Sequence, residues 1–328
     1  MTPFERDTDS QSLARRPDFS GRPWEQVLLC LGIALSVAIQ SWNPLLGTLL
    51  LGAVVRMLLD RSGSWVSGLV IATCMAVVGL VGIGMMQQPL SAFVAIPATV
   101  SALGIATLMY VHRAGVTATS TLIAAMTVLG LGVDATSVAL QGSDIVTVMH
   151  GMLMETIEAS AGTGIDATVL VATLEPIVMH LWPMVYVLSA MANTLFAASG
   201  ARIVATRGGT GPVRIAAFDA PLWSVGALAL SIVGCGASMA NIPYASVVLT
   251  CSLTVLLSVR FIFMLQGFGV LLAKLEQHRM GCFTRTLVLL FAVWIETMFF
   301  ILSIVGLVDV WANFRHLSRD GARPQAHT

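Results

Sequence analysis

Nine apolar runs are the feature that most constrains what this chain can fold into. A membrane-spanning helix needs about 20 apolar residues, and soluble domains carry about 25% charged residues, whereas this chain carries 10%. The runs therefore predict an all-α, polytopic membrane bundle of about nine helices at 25–310, between a polar N-terminal segment at 1–24 and a polar tail at 311–328. The runs are 25–41, 44–59, 65–86, 91–111, 115–133, 175–199, 222–240, 243–273 and 286–309.

The positions of lysine and arginine predict how the bundle is oriented. If the N-terminus is cytoplasmic, thirteen of the 17 lie in inward-facing segments, and none lies in the outward loops 42–43, 87–90, 134–174 and 241–242. The positive-inside rule predicts this distribution. We therefore expect a multi-pass protein of the bacterial cytoplasmic membrane. Three arginines in the tail conflict with nine spans, and a re-entrant late segment would instead give eight spans and a cytoplasmic tail.

The long outer loop at 134–174 is predicted to contain an amphipathic helix, because apolar residues recur at near-helical spacing in "DIVTVMHGMLMETIEASA". Glu155 and Glu158 share one face of this helix, but His150 does not complete a metal-binding spacing. A solvated outer face is the better interpretation, so neither a metal nor a cofactor is expected.

Two ionisable residues inside apolar runs are the main candidates for a binding site. Arg260 lies in "LLSVRFIFML" and Glu296 in "FAVWIETMFF". A charge at mid-membrane costs about 2.5–3.5 kcal/mol, so such groups face the bundle interior and pair. Both residues lie at similar distances from the turn near residue 280, so antiparallel helices would bring them together. Two interpretations stay open: a structural ion pair, or a charge in a solute or proton path.

Gln266, Gly267 and Gly269 follow Arg260 in the long eighth run. As a helix this run exceeds the bilayer thickness, so it must tilt, protrude or break near the glycines. Glycines also permit close helix packing, and Gln266 is able to bond a freed backbone group or to line the candidate site.

The last run ends in "GLVDVWANFR". Trp311, Phe314 and Arg315 are residue types that anchor a helix end at the headgroup boundary. Asp309 lies six positions before Arg315, about 120° away around a helix. We therefore expect no direct ion pair between Asp309 and Arg315, and Asn313 is the better helical neighbour of Asp309.

Four stretches together resemble the YybS-like family of bacterial multi-pass membrane proteins, a domain of unknown function. They are "FDAPLW" at 218–223, Asn241, "LQGFGVL" at 265–271 and "GLVDVWANFR" at 306–315. Five residues match the family pattern without an assigned role: Pro221, Gln266, Gly267, Asp309 and Arg315.

The family is distantly similar to the substrate-binding subunits of energy-coupling-factor vitamin transporters. That similarity implies a six-helix core with three further helices. Those subunits use small-xxx-small steps on the first helix to meet a partner membrane subunit. Ala34 and Ala38 form such a step here, which is a weak signal for helix contact.

These observations favour a small-molecule transporter, or a transporter substrate-binding subunit, which binds an unknown solute from outside, beneath the outer loop. The alternatives are a non-transporting membrane scaffold that docks partner proteins, and an integral-membrane enzyme. We do not expect an enzyme, because the sequence has no Ser–His–Asp order, nucleophile elbow or HExxH motif. The expected partners are the bilayer and other membrane subunits. Zero net charge without a basic patch argues against nucleic acid.

Overall fold

The computed structural model describes residues 23–62, 64–86, 89–111, 114–161, 175, 179–205, 218–240, 243–277 and 281–315. These residues are helical apart from turns and short irregular segments, and no strand occurs among them, so the all-α prediction is confirmed. They form eleven helices: α1 Pro23–Gln40, α2 Pro44–Arg61, α3 Trp65–Met86, α4 Pro89–Tyr110, α5 Val116–Leu140, α6 Ile145–Ala161, α7 Met184–Val204, α8 Leu222–Ser238, α9 Ala245–Gln277, α10 Cys282–Phe299 and α11 Ile301–Ala312.

Several of these helices have the length and composition of membrane spans. Helices α3, α5, α7 and α9 meet both criteria, and α10 with α11 makes a fifth if that bent pair is one span. Shorter apolar helices lie within α1, α4 and α8. The chain therefore has the apolar helices of a membrane protein, but the predicted count of about nine spans is not confirmed among the described residues.

The chain divides into two compact units. The first comprises Met1–Arg113 with Asn193–Gly208, and the second comprises Ala114–Ala192 with Gly209–Thr328. In the first unit, α1 to α4 pack on one another around fully buried side chains such as Ile33, Leu51 and Leu59.

Close backbone contact joins α2 to the C-terminal part of α7 in the first unit. A Cβ atom added at Gly52 would lie 2.2 Å from the carbonyl oxygen of Ala197, and one at Gly200 would lie 1.9 Å from that of Leu49. Because a side chain fits at neither place, the glycines let the two helices touch backbone to backbone.

The second unit is organised around α9, which packs against α8 and α11. Helix α9 runs unbroken from Ala245 to Gln277, so Gly267 and Gly269 do not break it. Gly267 instead packs against the backbone of α11, where an added Cβ would lie 2.0 Å from the carbonyl oxygen of Leu302. Gly306 makes the reciprocal contact with the carbonyl of Phe263, since a Cβ there would lie 1.9 Å from its oxygen.

The segment predicted as a long outer loop, 134–174, is largely helical where the structure describes it. Helix α5 continues through Leu140, so Asp134 belongs to a helix, and α6 covers the stretch in which an amphipathic helix was expected. Glu155 is exposed there. The side chain of Glu158 and residues 162–174 lie outside the described residues.

The last apolar run, predicted as one helix at 286–309, consists of two. Helix α10 ends at Phe299 and α11 begins at Ile301, with an angle of 95° between them. Phe300 at the junction has φ 57° and ψ 25°, the left-handed conformation, which is uncommon for a residue other than glycine. The prediction of a single continuous helix is therefore wrong, and the contacts of Glu296 supply the physical reason.

Candidate functional site

Glu296 lies at the bend between α10 and α11 and caps the second of these helices. Its carboxylate accepts hydrogen bonds from the backbone N–H of Leu302 at 2.7 Å and of Ser303 at 3.2 Å, and from the Ser303 hydroxyl. The first backbone N–H groups of a helix have no partner within the helix, and a nearby carboxylate satisfies them. Glu296 therefore acts as a side-chain cap of α11 although it belongs to α10.

The same residue also closes α10. The backbone N–H of Phe300 donates to the Glu296 carbonyl at 3.2 Å, which completes the last turn before the chain reverses. A left-handed aromatic residue costs about 1–3 kcal/mol of backbone strain. The capping bonds that Glu296 makes across the bend offset this cost, which explains why the helix breaks here without glycine or proline.

Arg260 of α9 lies against this bend. Its Nη2 is 3.2 Å from Oε1 of Glu296 and 3.2 Å from the Glu296 carbonyl oxygen, so the structure brings the two predicted residues together. The guanidinium carbon lies 3.7 Å from the centroid of the Phe300 ring, within the range of a cation–π contact. The Arg260 side chain is 24% exposed, whereas that of Glu296 is 3% exposed.

The Nε nitrogen of Arg260 makes none of these contacts. Its Nε–H is buried and has no hydrogen-bond partner among the described residues. The Glu296 carboxylate, in contrast, accepts hydrogen bonds from four donors, which belong to Arg260, Leu302 and Ser303. Arg260 is thus held in place through Nη2, while its side chain stays partly exposed and its Nε–H is enclosed without a partner among the described residues.

A second polar cluster lies further along α11 and is completely buried. Arg315 donates to Oδ2 of Asp309 from Nη2 at 2.7 Å and from Nε at 3.1 Å. Gln266 of α9 donates to the same oxygen at 3.0 Å, and its own Oε1 accepts from the Ala220 backbone N–H. The Nη1 of Arg315 reaches the carbonyl of Phe218 at 2.6 Å. The charged and amide groups of this cluster are therefore hydrogen-bonded to one another.

The expectation that Asp309 and Arg315 do not pair is wrong. Helix α11 ends at Ala312, and Asn313 adopts the left-handed conformation with φ 44° and ψ 53°. The chain then folds back, and the backbone N–H of Phe314 bonds Oδ1 of Asp309 at 2.8 Å. The angle of about 120° assumed a continuing helix. Asn313 was the available signal, because asparagine is one of the few residues that terminate helices in this conformation.

Three of the four stretches that resemble the YybS-like family meet in this cluster. Phe218 and Ala220 come from "FDAPLW", Gln266 from "LQGFGVL", and Asp309 with Arg315 from "GLVDVWANFR". Each stretch thus contributes a donor or an acceptor to a hydrogen bond with another stretch. Asn241 lies outside the described residues.

Three further residues of these stretches lie at or near the ends of helices. Pro221 occupies the N-cap position of α8, where its carbonyl accepts from the Ser224 backbone N–H and hydroxyl. Trp311, near the end of α11, and Phe314, just beyond it, are exposed; their role as interfacial anchors stays a prediction.

The small-residue step on α1 is used within the chain. The backbone of Ala34 packs on α3, where a Cβ added at Gly79 would lie 3.1 Å from the Ala34 carbonyl oxygen. Ala38 is exposed. The contact that the sequence assigns to another subunit is therefore partly occupied by α3.

Two buried polar groups were missed by reasoning from the sequence. Arg56 is one of the thirteen lysines and arginines in the predicted inward-facing segments. Its side chain is only 3% exposed, bonds Asp60 at 3.1 Å and lies 5.3 Å from the Tyr110 ring centroid. The four-residue spacing in "RMLLD" was the available signal. Tyr186 donates to Asp134 at 2.9 Å, and no sequence pattern links these distant residues.

Comparison of the chain with family models, with curated proteins and with solved structures finds no match. The resemblance to the YybS-like family therefore stays a prediction from the four stretches.

Proposed function

We propose that this protein is a small-molecule transporter, or the substrate-binding subunit of one, in the bacterial cytoplasmic membrane with a cytoplasmic N-terminus. Its solute carries an anionic group that binds Arg260. The observation that supports this proposal is an arginine inside an apolar run whose side chain is 24% exposed; its Nε–H, itself buried, has no hydrogen-bond partner among the described residues. Ionisable residues inside membrane helices mark solute and ion pathways, and arginine binds carboxylates and phosphates in preference to neutral groups.

Comparison with the other buried arginines singles out Arg260. Arg315 is 2% exposed and is held by Asp309 and Phe218, so it serves to join segments. Arg56 also has an unpartnered nitrogen, Nη1, but its side chain is 3% exposed. Among these three, Arg260 alone combines a donor that has no described partner with a partly exposed side chain.

The two alternatives receive less support. A scaffold would dock partner proteins through Ala34 and Ala38 or through the inner loops. The first route requires a free small-residue face, yet Ala34 packs on α3 of the same chain. An enzyme requires polar groups that converge around a reacting atom. The described polar clusters at Glu296 and Asp309 are closed by their own hydrogen bonds, which is the arrangement of structural supports.

The experiment is purification of the full chain from membranes, followed by mass spectrometry of co-purifying solutes and proteins. A panel of carboxylates and phosphates is then tested for stabilisation of the purified protein, since a ligand present at 100 times its Kd stabilises the native state by about 2.7 kcal/mol. We expect an anionic solute to raise the Tm of the wild type. Recovery of an ATPase-coupled membrane complex would support transport.

Arg260→Gln is the diagnostic variant, and Arg285→Gln is its matched control, because Arg285 lies in an exposed ion pair of the same unit. We expect Arg260→Gln to abolish the Tm shift while Arg285→Gln retains it. Equal stabilisation of both variants, or recovery of a soluble partner without any solute, would overturn the proposal.

A further inference from the structure

An apolar crevice lies between α9, α10 and α11, and Gly267 is one of its lining residues. Its volume is about 360 Å³, and its lining includes Val270, Phe291, Ile295 and Leu302. Of the eleven lining residues, only Lys274 carries a charge. Cavities that bind small molecules have volumes of about 300–1,000 Å³ and mostly apolar walls, so the crevice is large enough for a ligand.

The geometry of the bend creates this space. Helix α10 meets α11 at 95°, so its apolar side does not lie flat along α9. Phe291, on the wall, remains 58% exposed. In a bilayer, exposed apolar surface of this kind contacts the acyl chains of lipids.

Charge is confined to one end of the crevice. Lys274 lies in the last turn of α9 and is exposed, with Gln277 as its contact at 3.4 Å. Arg285, in the first turn of α10, is nearby in the chain and pairs with Glu276. The distribution of lysine and arginine predicts that this end faces the cytoplasm. A lysine near that membrane surface attracts anionic lipid headgroups.

We propose that the crevice binds one acyl chain of an anionic phospholipid from the surrounding bilayer, with the lipid phosphate at Lys274. The apolar walls match the hydrocarbon chain, and the single cation at the rim matches the negative headgroup. A polar solute would find no hydrogen-bonding group along the walls other than Lys274 at the rim. This site differs from the one proposed at Arg260, because Arg260 does not line the crevice.

The test is native mass spectrometry of the full chain in detergent with phosphatidylglycerol or phosphatidylcholine of identical acyl chains. We expect phosphatidylglycerol to be retained about five-fold better, the preference that one juxtamembrane cation confers. Lys274→Gln removes the preference, and Lys274→Arg keeps it.

Substitution of two valines on α10 tests whether the lipid binds between the walls of the crevice. Val288 lines the crevice, whereas Val293 is exposed and does not. Val288→Trp fills the crevice and is expected to lower lipid retention at least five-fold, while Val293→Trp leaves it unchanged. Both variants are first checked for an unaltered Tm, and Ala292→Trp, at a second lining position, replaces Val288→Trp if that variant fails to fold.

Three results would overturn the inference. Equal retention of the two lipids would show that Lys274 does not bind the lipid headgroup. Equal lipid retention by the two tryptophan variants would show that the lipid does not bind in the crevice. A dimer that Val288→Trp dissociates would assign the crevice to a second copy of the chain. None of these results bears on solute binding at Arg260, which is measured separately with Arg260→Gln.

Discussion

Asp309 and Arg315 form a buried ion pair across the end of the last described helix, with 2.7 Å between Oδ2 and Nη2 and side chains that are 0% and 2% exposed. The pair links α11 to the segment before α8, because Arg315 also bonds the Phe218 carbonyl. Gln266 ties the same carboxylate to α9. One carboxylate therefore organises three segments that are distant in the sequence.

Arg315→Gln is expected to destabilise the second unit strongly. Removing one partner of a buried pair leaves the other charge uncompensated, which costs about 3–5 kcal/mol. The measurement is denaturant or thermal unfolding of the purified protein in detergent. Arg285→Gln breaks an exposed pair and is expected to change stability by less than about 1 kcal/mol. Similar losses in the two variants would contradict a special role for the Asp309 pair.

Gly267→Ala is expected to separate α9 from α11. The added methyl group meets the Leu302 carbonyl oxygen at 2.0 Å, and overpacking of this kind costs about 1–3 kcal/mol. Gly226→Ala, in α8, meets nothing within 4 Å and is expected to be neutral or stabilising by up to about 1 kcal/mol, because alanine is the better helix former. Thermal unfolding of the two variants side by side checks this, and a stable Gly267→Ala protein would refute the close packing.

Glu296→Ala is expected to loosen the start of α11. Three donors of the cap lose their acceptor, and Arg260 loses its carboxylate partner while its bond to the residue-296 carbonyl remains. Hydrogen exchange of the Leu302 and Ser303 amides should accelerate at least ten-fold, since each 1.4 kcal/mol of lost protection is a factor of ten. Thr297→Ala, at the exposed neighbour, is the control. Unchanged exchange in Glu296→Ala would show that the carboxylate does not hold the bend.

Substitution of Asn313 separates backbone from side-chain effects. Asn313→Gly retains the left-handed conformation at φ 44°, whereas Asn313→Ala is strained there by about 1–2 kcal/mol. Both variants lose the asparagine side chain, so the difference in their unfolding free energies reports the backbone alone. We expect the glycine variant to be more stable, and equal stabilities would show that the turn relaxes without cost.

The helices were largely predictable, because hydrophobic length and charge are local properties of the chain. The register of Arg260 and Glu296 was also predictable, since the rise of a helix converts distance from a shared turn into depth. The bend at Phe300 was not, because a phenylalanine in a left-handed conformation carries no sequence signal. It depends on Glu296 reaching across to Leu302 and Ser303.

The sequence by itself determined that the chain is helical and suited to a bilayer, and which polar residues interrupt its apolar runs. Only the tertiary structure decided their partners. Arg315 reaches Asp309 because Asn313 reverses the chain, and Gln266 reaches both Asp309 and Ala220 because two glycines let α9 and α11 touch. Burial in an apolar interior makes each unpaired polar group costly. The contacts that satisfy these groups come from segments far apart in the sequence, which is why local patterns identified the groups but not their pairing.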